Sequence, residues 1–140
     1  MRDRATLVPL ARTWQQAFPG TPEQLREVRA SIRSFMDGCP AVDDLALLVS
    51  ELSANAIAHS ASGAPGGSFT VRVRHAHGSH IDAEITDAGS YWDGDIASSA
   101  DHPHGLYLLL ALAAACGSDS SDRCRRVWFR LDDAAGLELR

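Results

Sequence analysis

Apolar side chains recur at helical spacing early in the chain. They are Leu25, Val28, Ile32, Phe35 and Met36. This spacing places all five on one face of a helix. Thr21 is a suitable cap, Pro22 suits the first helical position, and Gln24 completes a capping box three residues after the cap. The pattern therefore predicts a helix that follows Thr21 and ends at Gly38.

A second helix is predicted from about Val42 to Ser60, where apolar residues again recur every three or four positions. A polar stripe interrupts this apolar pattern. Glu51, Asn55 and His59 are spaced four apart, and each step of four drifts only about 40° around a helix. The three side chains therefore lie along one side of the predicted helix.

Alternating apolar and polar positions predict strands in four segments. These are Trp14–Phe18, Phe69–Val73, Ile81–Ile85 and Arg126–Leu131. Pro19-Gly20 ends the first strand, and a turn near His77-Gly78 joins the second and third strands into a hairpin. In the last strand Val127 and Phe129 are expected on one face and Trp128 on the other.

The third strand ends at Thr86-Asp87-Ala88-Gly89, and the segment from Gly89 to Pro103 shows little regular pattern. A segment this long inside a compact domain is typical of a functional lid. A third helix is predicted from Gly105 through Ala115, with Gly117 as its stop, followed by a closing pair of strands. The order β-α-α-β-β-lid-α-β-β predicts an α+β fold, a two-layer α/β sandwich whose mixed sheet has helices on one face.

The length of 140 residues fits one domain. We expect residues 1–12 to form a disordered N-terminal extension and residues 13–140 to form the domain. The formal net charge of −5 and the lack of a long basic run disfavour nucleic-acid binding. The longest apolar run is shorter than the roughly 20 residues that span a bilayer, and the first residues do not resemble a signal peptide. Three scattered cysteines suit a reducing cytoplasm.

The polar stripe has two interpretations. A lone polar pair four residues apart usually belongs to a solvated helix face. The chemical alternative is that the Asn55 amide oxygen binds a hard cation such as magnesium while Glu51 accepts a proton. The residue pattern alone favours the solvated face.

Two further segments have similar alternatives. Asp87 at a strand end is often a turn former, but a buried carboxylate there could accept a hydrogen bond from the exocyclic amine of adenine. Gly89 would let the backbone approach the base. His104-Gly105-Leu106 opens the third helix, and a helix start is an anion site when its N–H groups face a phosphate.

Together these segments resemble a known family. E-L-S-A-N-A-I-A-H-S at residues 51–60 is similar to the N-box of the GHKL ATPases, which include gyrase, a heat-shock chaperone, histidine kinases and MutL. T-D-A-G at 86–89 is similar to their adenine motif, and H-G-L at 104–106 to the end of their second glycine box. The W-x-x-x-F-P-G segment at 14–20 resembles the anti-sigma-factor serine kinases and their stand-alone ATP-binding relatives.

The resemblance implies a role for each matching residue. Glu51 resembles the general base, Asn55 the magnesium ligand and Asp87 the adenine reader. The remaining ATP-binding residues that it implies are His59, Gly89, His104, Gly105 and Leu106. Since many histidine kinases have Asn at the position of Glu51, a glutamate there favours transfer to a hydroxyl or to water. On this basis Asp87→Asn should weaken ATP and ADP binding alike while leaving the stability of the free protein intact.

The chain departs from its relatives at three positions. Pro103-His104 replaces a Gly-Arg pair, which stiffens the lid hinge and removes a permanent cation near the terminal phosphate. Arg126 stands where relatives often have a threonine that supports the adenine contact. These departures leave two functions open. One is an ATP- and magnesium-dependent serine/threonine kinase that binds a sigma factor and its antagonist protein. The other is a non-catalytic ATP-binding or protein-interaction module.

Other features of the sequence carry less weight. Close relatives are often dimers, so the resemblance also implies a homodimer. A detached chaperone-type or topoisomerase-type ATPase domain is a more remote alternative. The histidines at 75, 77, 80, 102 and 104 could suggest a zinc site, but no cysteine lies at zinc-finger spacing from them. Ser60 and Ser62 are interpreted as loop formers.

Overall fold

The computed structural model of the chain describes residues 11–88, 108–109, 111–121 and 124–133. Five strands form one sheet in the order β1-β2-β3-β5-β4. The strands are β1 (Ala11–Pro19), β2 (Ser68–Ala76), β3 (His80–Asp87), β4 (Ala115–Ser120) and β5 (Arg125–Asp132). Two helices, α1 (Gln24–Phe35) and α2 (Val42–His59), precede β2. The predicted α+β sandwich is confirmed.

The sheet differs from the predicted one in its strand directions. All four strand pairings among the described residues are antiparallel, so the sheet is not mixed. The β2–β3 hairpin is closed by a tight turn, in which the Ser79 N–H donates to the Ala76 carbonyl at 2.9 Å and Gly78 has φ +77°. A positive φ at that position favours glycine, which explains the His77-Gly78 turn signal.

The core lies between the helices and one face of the sheet. Every second residue of β3 is buried, and α1 buries Val28 and Ile32 against the same core. Aromatic rings join the first two strands, since Phe18 and Phe69 stack with centroids 5.7 Å apart. Val127 and Phe129 are buried, as predicted, while Trp128 is only partly buried in the outer layer. Strand pairing and this apolar layer fix the position of α2 over β2 and β3.

Two predicted helix ends are wrong. Helix α1 begins at Gln24, its N-cap is Glu23, and no side chain caps it. Instead the Gln24 N–H donates to the Thr21 carbonyl at 3.0 Å, so a backbone turn replaces the predicted capping box. The third helix includes Leu108, Leu109, Ala111 and Leu112 but does not extend through Ala115, where β4 begins.

Gly117 therefore lies inside β4 and does not terminate a helix. It pairs with Trp128 of β5, and a Cβ at Gly117 would lie 2.8 Å from the Trp128 ring. The glycine is needed for close cross-strand packing of the indole, a role that glycines in strands often have. None of the helices in the described part of the chain is both long and apolar enough to cross a bilayer.

Candidate ATP-binding site

Helix α2 presents the polar stripe that its sequence predicts. Its core-facing side buries eight residues, and its first turn has two acidic side chains that favour the positive end of the helix dipole. Glu51, Asn55 and His59 are all partly buried. They lie between the buried face of α2 and its solvent-exposed face. A side chain in this position can contact a ligand while neighbouring residues limit its motion.

Asp87 occupies a core position at the end of β3. The alternation that buries Ile81, Ala83 and Ile85 also buries this carboxylate, which is 4% exposed. Arg125 lies directly opposite in the β3–β5 register and is also buried. Its Nη2 donates to Asp87 Oδ2 at 3.1 Å. The carboxylate at the predicted adenine position is thus held by a buried cation from the neighbouring strand.

This geometry corrects the prediction for Arg126. The structure pairs Arg126 with Thr86 and turns its side chain to the outer face of the sheet. There it donates to Asp119 at 2.9 Å and to Glu84 at 3.0 Å. Hydrogen bonds to these two carboxylates raise the pKa of Arg126, and its hydrogen bond lowers the pKa of Asp119. The arginine that contacts Asp87 is therefore Arg125, and Arg126 lies on the other face of the sheet.

Two serines that the sequence pattern presents as loop formers connect α2 to the end of β3. Ser60 Oγ donates to the Ala56 carbonyl at 2.6 Å and accepts from the Ser62 N–H at 3.0 Å. Ser62 Oγ in turn accepts from the Ala88 N–H at 2.9 Å. Both serines are buried. The pair fixes the backbone next to Asp87 relative to the helix that carries Glu51 and Asn55.

The glycine of the Pro19-Gly20 motif supports the same junction. The Gly20 N–H donates to the Gly67 carbonyl at 2.9 Å. A Cβ at Gly20 would lie only 1.7 Å from the Ser62 carbonyl oxygen. Because that oxygen belongs to backbone, it cannot move away as a flexible side chain would. The first strand and the serine linkage can meet here only because residue 20 has no side chain.

We expect Gly20→Ala to destabilise the protein by about 1–3 kcal/mol, the usual range for overpacking a close contact. Chemical denaturation with a circular dichroism readout measures the change in the free energy of unfolding. Thr21→Ala is the matched control, because Thr21 is exposed and adjacent in the chain. If both variants unfold at the wild-type denaturant concentration, Gly20 does not support the junction.

The remaining predicted site residues, Gly89, His104, Gly105 and Leu106, lie outside the described residues, as does Pro103. The described part of the predicted site consists of Glu51, Asn55 and His59 on α2 and Asp87 on β3.

The comparison with family profiles then decides the family. The profile of histidine kinase-like ATPase domains matches residues 18–131.

The chain belongs to the histidine kinase-like ATPase domain family. The match extends from the end of β1 nearly to the end of β5, so it includes α2, Asp87 and Arg125. It supports an ATP-binding regulatory protein. The comparison with curated proteins gives no match for the chain.

The donor set of this ATPase domain fits ATP and magnesium. A carboxylate offers about four acceptor positions, so Asp87 can accept from Arg125 and also from the exocyclic amine of adenine. The side-chain oxygen of Asn55 is the kind of ligand that magnesium prefers, with phosphates and water supplying the others. Glu51, one helical turn before Asn55, is a carboxylate within the same stripe. The described residues therefore include an oxygen donor of the kind that would suit magnesium and a carboxylate one turn away from it.

Proposed function

We propose that this protein binds Mg-ATP and transfers the γ-phosphoryl group to a hydroxyl of a protein substrate. The observation that supports it is the arrangement of three groups. The half-buried Glu51 and Asn55 lie one turn apart on α2, and the Ser60–Ser62 linkage ties the end of that helix to the backbone beside the buried Asp87. The proposed base, metal ligand and adenine reader are thus connected by one hydrogen-bonded linkage between α2 and the end of β3.

In this proposal each residue performs one step. The Asp87 carboxylate accepts a hydrogen bond from the exocyclic amine of adenine and so orients the nucleotide. Asn55 would hold magnesium against the phosphates. Glu51 takes the proton from the hydroxyl of the protein substrate. The hydroxyl oxygen forms a bond to the γ-phosphorus, the bond between that phosphorus and ADP breaks, and ADP leaves. Positioning and charge stabilisation supply most of the catalysis in phosphoryl transfer. A glutamate base matches a hydroxyl acceptor, which has a proton to give up.

The resemblance to anti-sigma-factor serine/threonine kinases supplies the proposed partners. These are a sigma factor and the antagonist protein that carries the phosphorylated hydroxyl, in a cytoplasmic complex that also includes a second copy of this chain. A non-catalytic ATP-binding module is the second candidate. In this second candidate the domain binds ATP weakly, or serves only in protein interaction. Arg125 favours it, because the guanidinium already uses part of the accepting capacity of Asp87 and so weakens the contact with adenine.

Calorimetric titration with Mg-ATP, Mg-ADP and Mg-GTP tests the binding half of the proposal. We expect ATP and ADP to bind and GTP to bind much more weakly, since guanine presents a carbonyl oxygen where adenine presents an amine. Equal affinity for ATP and GTP would contradict the role of Asp87. A phosphoryl-transfer assay with labelled ATP and purified antagonist proteins tests the catalytic half.

We expect Asn55→Ala to weaken ATP binding in the presence of magnesium by about 10- to 100-fold, the scale of one contact to a charged group. Titration with ATP in excess chelator is the control, because affinity without magnesium should change little. Asp44→Ala is the matched variant, since Asp44 lies exposed on the same helix. If Asn55→Ala weakens binding equally with and without magnesium, Asn55 does not act through the metal.

A further inference from the structure

A second group of chemically active side chains meets where the inner strands β2 and β5 end. Cys39 follows α1, His75 lies near the end of β2, and Asp133 follows β5. One sulfur, nitrogen or oxygen atom from each lies within 4.8 Å of those of the other two. We name these three residues the Cys39 cluster. Cys39 and His75 are 36 positions apart in the chain, and His75 and Asp133 are 58 positions apart, so no local spacing motif predicts the cluster.

Asp133 is the centre of the cluster. Its Oδ2 lies 2.9 Å from His75 Nε2 and accepts from the Gly78 N–H at 2.7 Å. Its Oδ1 lies 4.0 Å from Cys39 Sγ. A fourth group, His77 Nδ1, lies 3.9 Å from Asp133 Oδ2, and its side chain is 77% exposed. The cluster together with His77 therefore offers one thiol, one carboxylate and two imidazoles.

The cluster does not have the arrangement of an activated nucleophile. His75 contacts Asp133, whereas an activated cysteine would contact the histidine. Burial raises the pKa of the Cys39 thiol, and the charge of Asp133 raises it further, although a backbone hydrogen bond from Ala41 opposes the rise. Zinc binds the thiolate form of cysteine, so a bound zinc ion would displace this proton. Thiolate, imidazole and carboxylate are the ligand types that zinc takes in proteins, and the cluster brings one of each together.

We propose that Cys39, His75 and Asp133 bind a zinc ion, with His77 as the fourth ligand. Ligands at tetrahedral zinc bonds of about 2.0–2.3 Å lie about 3.2–3.8 Å from one another. The three distances of 2.9, 4.0 and 3.9 Å lie close to this range on either side. The donor atoms of Cys39, His75 and Asp133 all lie within 4.8 Å of one another, so modest side-chain movements would bring these three to bonding distance. The exposed His77 side chain would have to turn toward them as the fourth ligand.

The surroundings provide space and charge balance. The cluster lines a cavity of about 160 Å³. A thiolate and a carboxylate together carry two negative charges, which Zn²⁺ neutralises, so the bound site leaves no net charge among the ligands. Arg12 and Asp37 also line the cavity with opposite charges. A partly enclosed, neutral site of this kind avoids the large penalty for burying an uncompensated ion.

The alternative role for the cluster is a metal-free ion pair that anchors the end of β5 to the β2–β3 turn. That alternative needs neither Cys39 nor His77.

Titration of the reduced, metal-free full chain with Co²⁺ distinguishes the two roles. We expect one Co²⁺ per chain, a sulfur-to-cobalt charge-transfer band in the near ultraviolet, and loss of the band when Zn²⁺ is added. Cys39→Ser should abolish the band and weaken Zn²⁺ binding by about 100-fold or more, since loss of an outer-shell group alone can reach about 100-fold. Cys116→Ser and Cys124→Ser are the matched controls and should keep the band.

A measurement on the wild-type chain keeps the test independent of how the variants fold. We expect Zn²⁺ to raise the melting temperature of the wild type and chelator to lower it. His77→Ala should keep the cobalt-thiolate band but weaken Zn²⁺ binding, because one of four ligands is lost. The proposal is overturned if the wild type shows neither a cobalt-thiolate band nor a zinc-dependent melting temperature, or if Cys39→Ser binds as the wild type does.

Discussion

Asp87→Asn is expected to lower the free energy of unfolding by about 3–5 kcal/mol, the range for removing one partner of a buried ion pair. The Asp87 and Arg125 side chains are 2% and 10% exposed, so water screens little of their interaction. The substituted amide retains an oxygen acceptor but removes the negative charge opposite the guanidinium. This replaces the sequence-based expectation that the stability of the free protein would stay intact.

Arg126→Gln provides a matched control for the Asp87→Asn experiment. Arg126 also pairs with carboxylates, but its side chain is 40% exposed on the outer face. Exposed ion pairs contribute about 0–1 kcal/mol, so this variant should unfold close to the wild type. Equilibrium denaturation compares the two. Equal small losses for Asp87→Asn and Arg126→Gln would show that the Asp87–Arg125 pair does not stabilise the fold.

The double variant Asp87→Asn with Arg125→Gln separates stability from nucleotide recognition. It removes both charges, so it should regain part of the stability lost in Asp87→Asn. Its ATP and ADP affinities should nevertheless remain about 1–3 kcal/mol weaker than those of the wild type, the scale of a hydrogen bond to a charged group. Calorimetry at a temperature where all variants are folded gives these affinities. Wild-type ATP affinity in the double variant would exclude Asp87 as the adenine reader.

Features set by neighbouring residues can be predicted from the sequence. The polar stripe of α2 depends only on helical periodicity, so the spacing of Glu51, Asn55 and His59 is enough to place them on one side of the helix. The hairpin turn is equally local, because Gly78 provides the positive φ that it needs. In contrast, the predicted capping box at Thr21 is wrong, because a backbone turn meets the same N–H group without a side chain.

Features that depend on strand register cannot be predicted in the same way. Asp87 and Arg125 are 38 positions apart, and a shift of one residue moves every side chain to the other face. The link between Arg126 and adenine came from the family resemblance alone, and the register shows that its neighbour Arg125 is the arginine beside Asp87. The Cys39 cluster has the same origin, because three distant segments meet only when β2, β5 and the α1–α2 connection take their places in the fold.

Glu51→Gln is expected to reduce phosphoryl transfer by about 100-fold or more, because a positioned general base typically contributes about 10²- to 10⁴-fold. Glutamine keeps the size of the side chain and its capacity for hydrogen bonding but cannot take a proton from the attacking hydroxyl. Glu51 is only partly buried, so the fold should tolerate the change. The affinity for Mg-ATP should stay within a few-fold of the wild type, since a base acts on the acceptor and not on the nucleotide.

The control for this variant is Asp44→Asn, which removes a carboxylate from the first turn of the same helix, well away from the stripe. It should leave both the transfer rate and ATP affinity unchanged. Transfer of labelled phosphate to the antagonist protein gives the rate, and calorimetry gives the affinity. Transfer by Glu51→Gln at the wild-type rate would exclude Glu51 as the base. If the wild type binds Mg-ATP yet transfers no phosphate to any antagonist, the non-catalytic module is the better description, because binding needs Asp87 and Asn55 but only transfer needs Glu51.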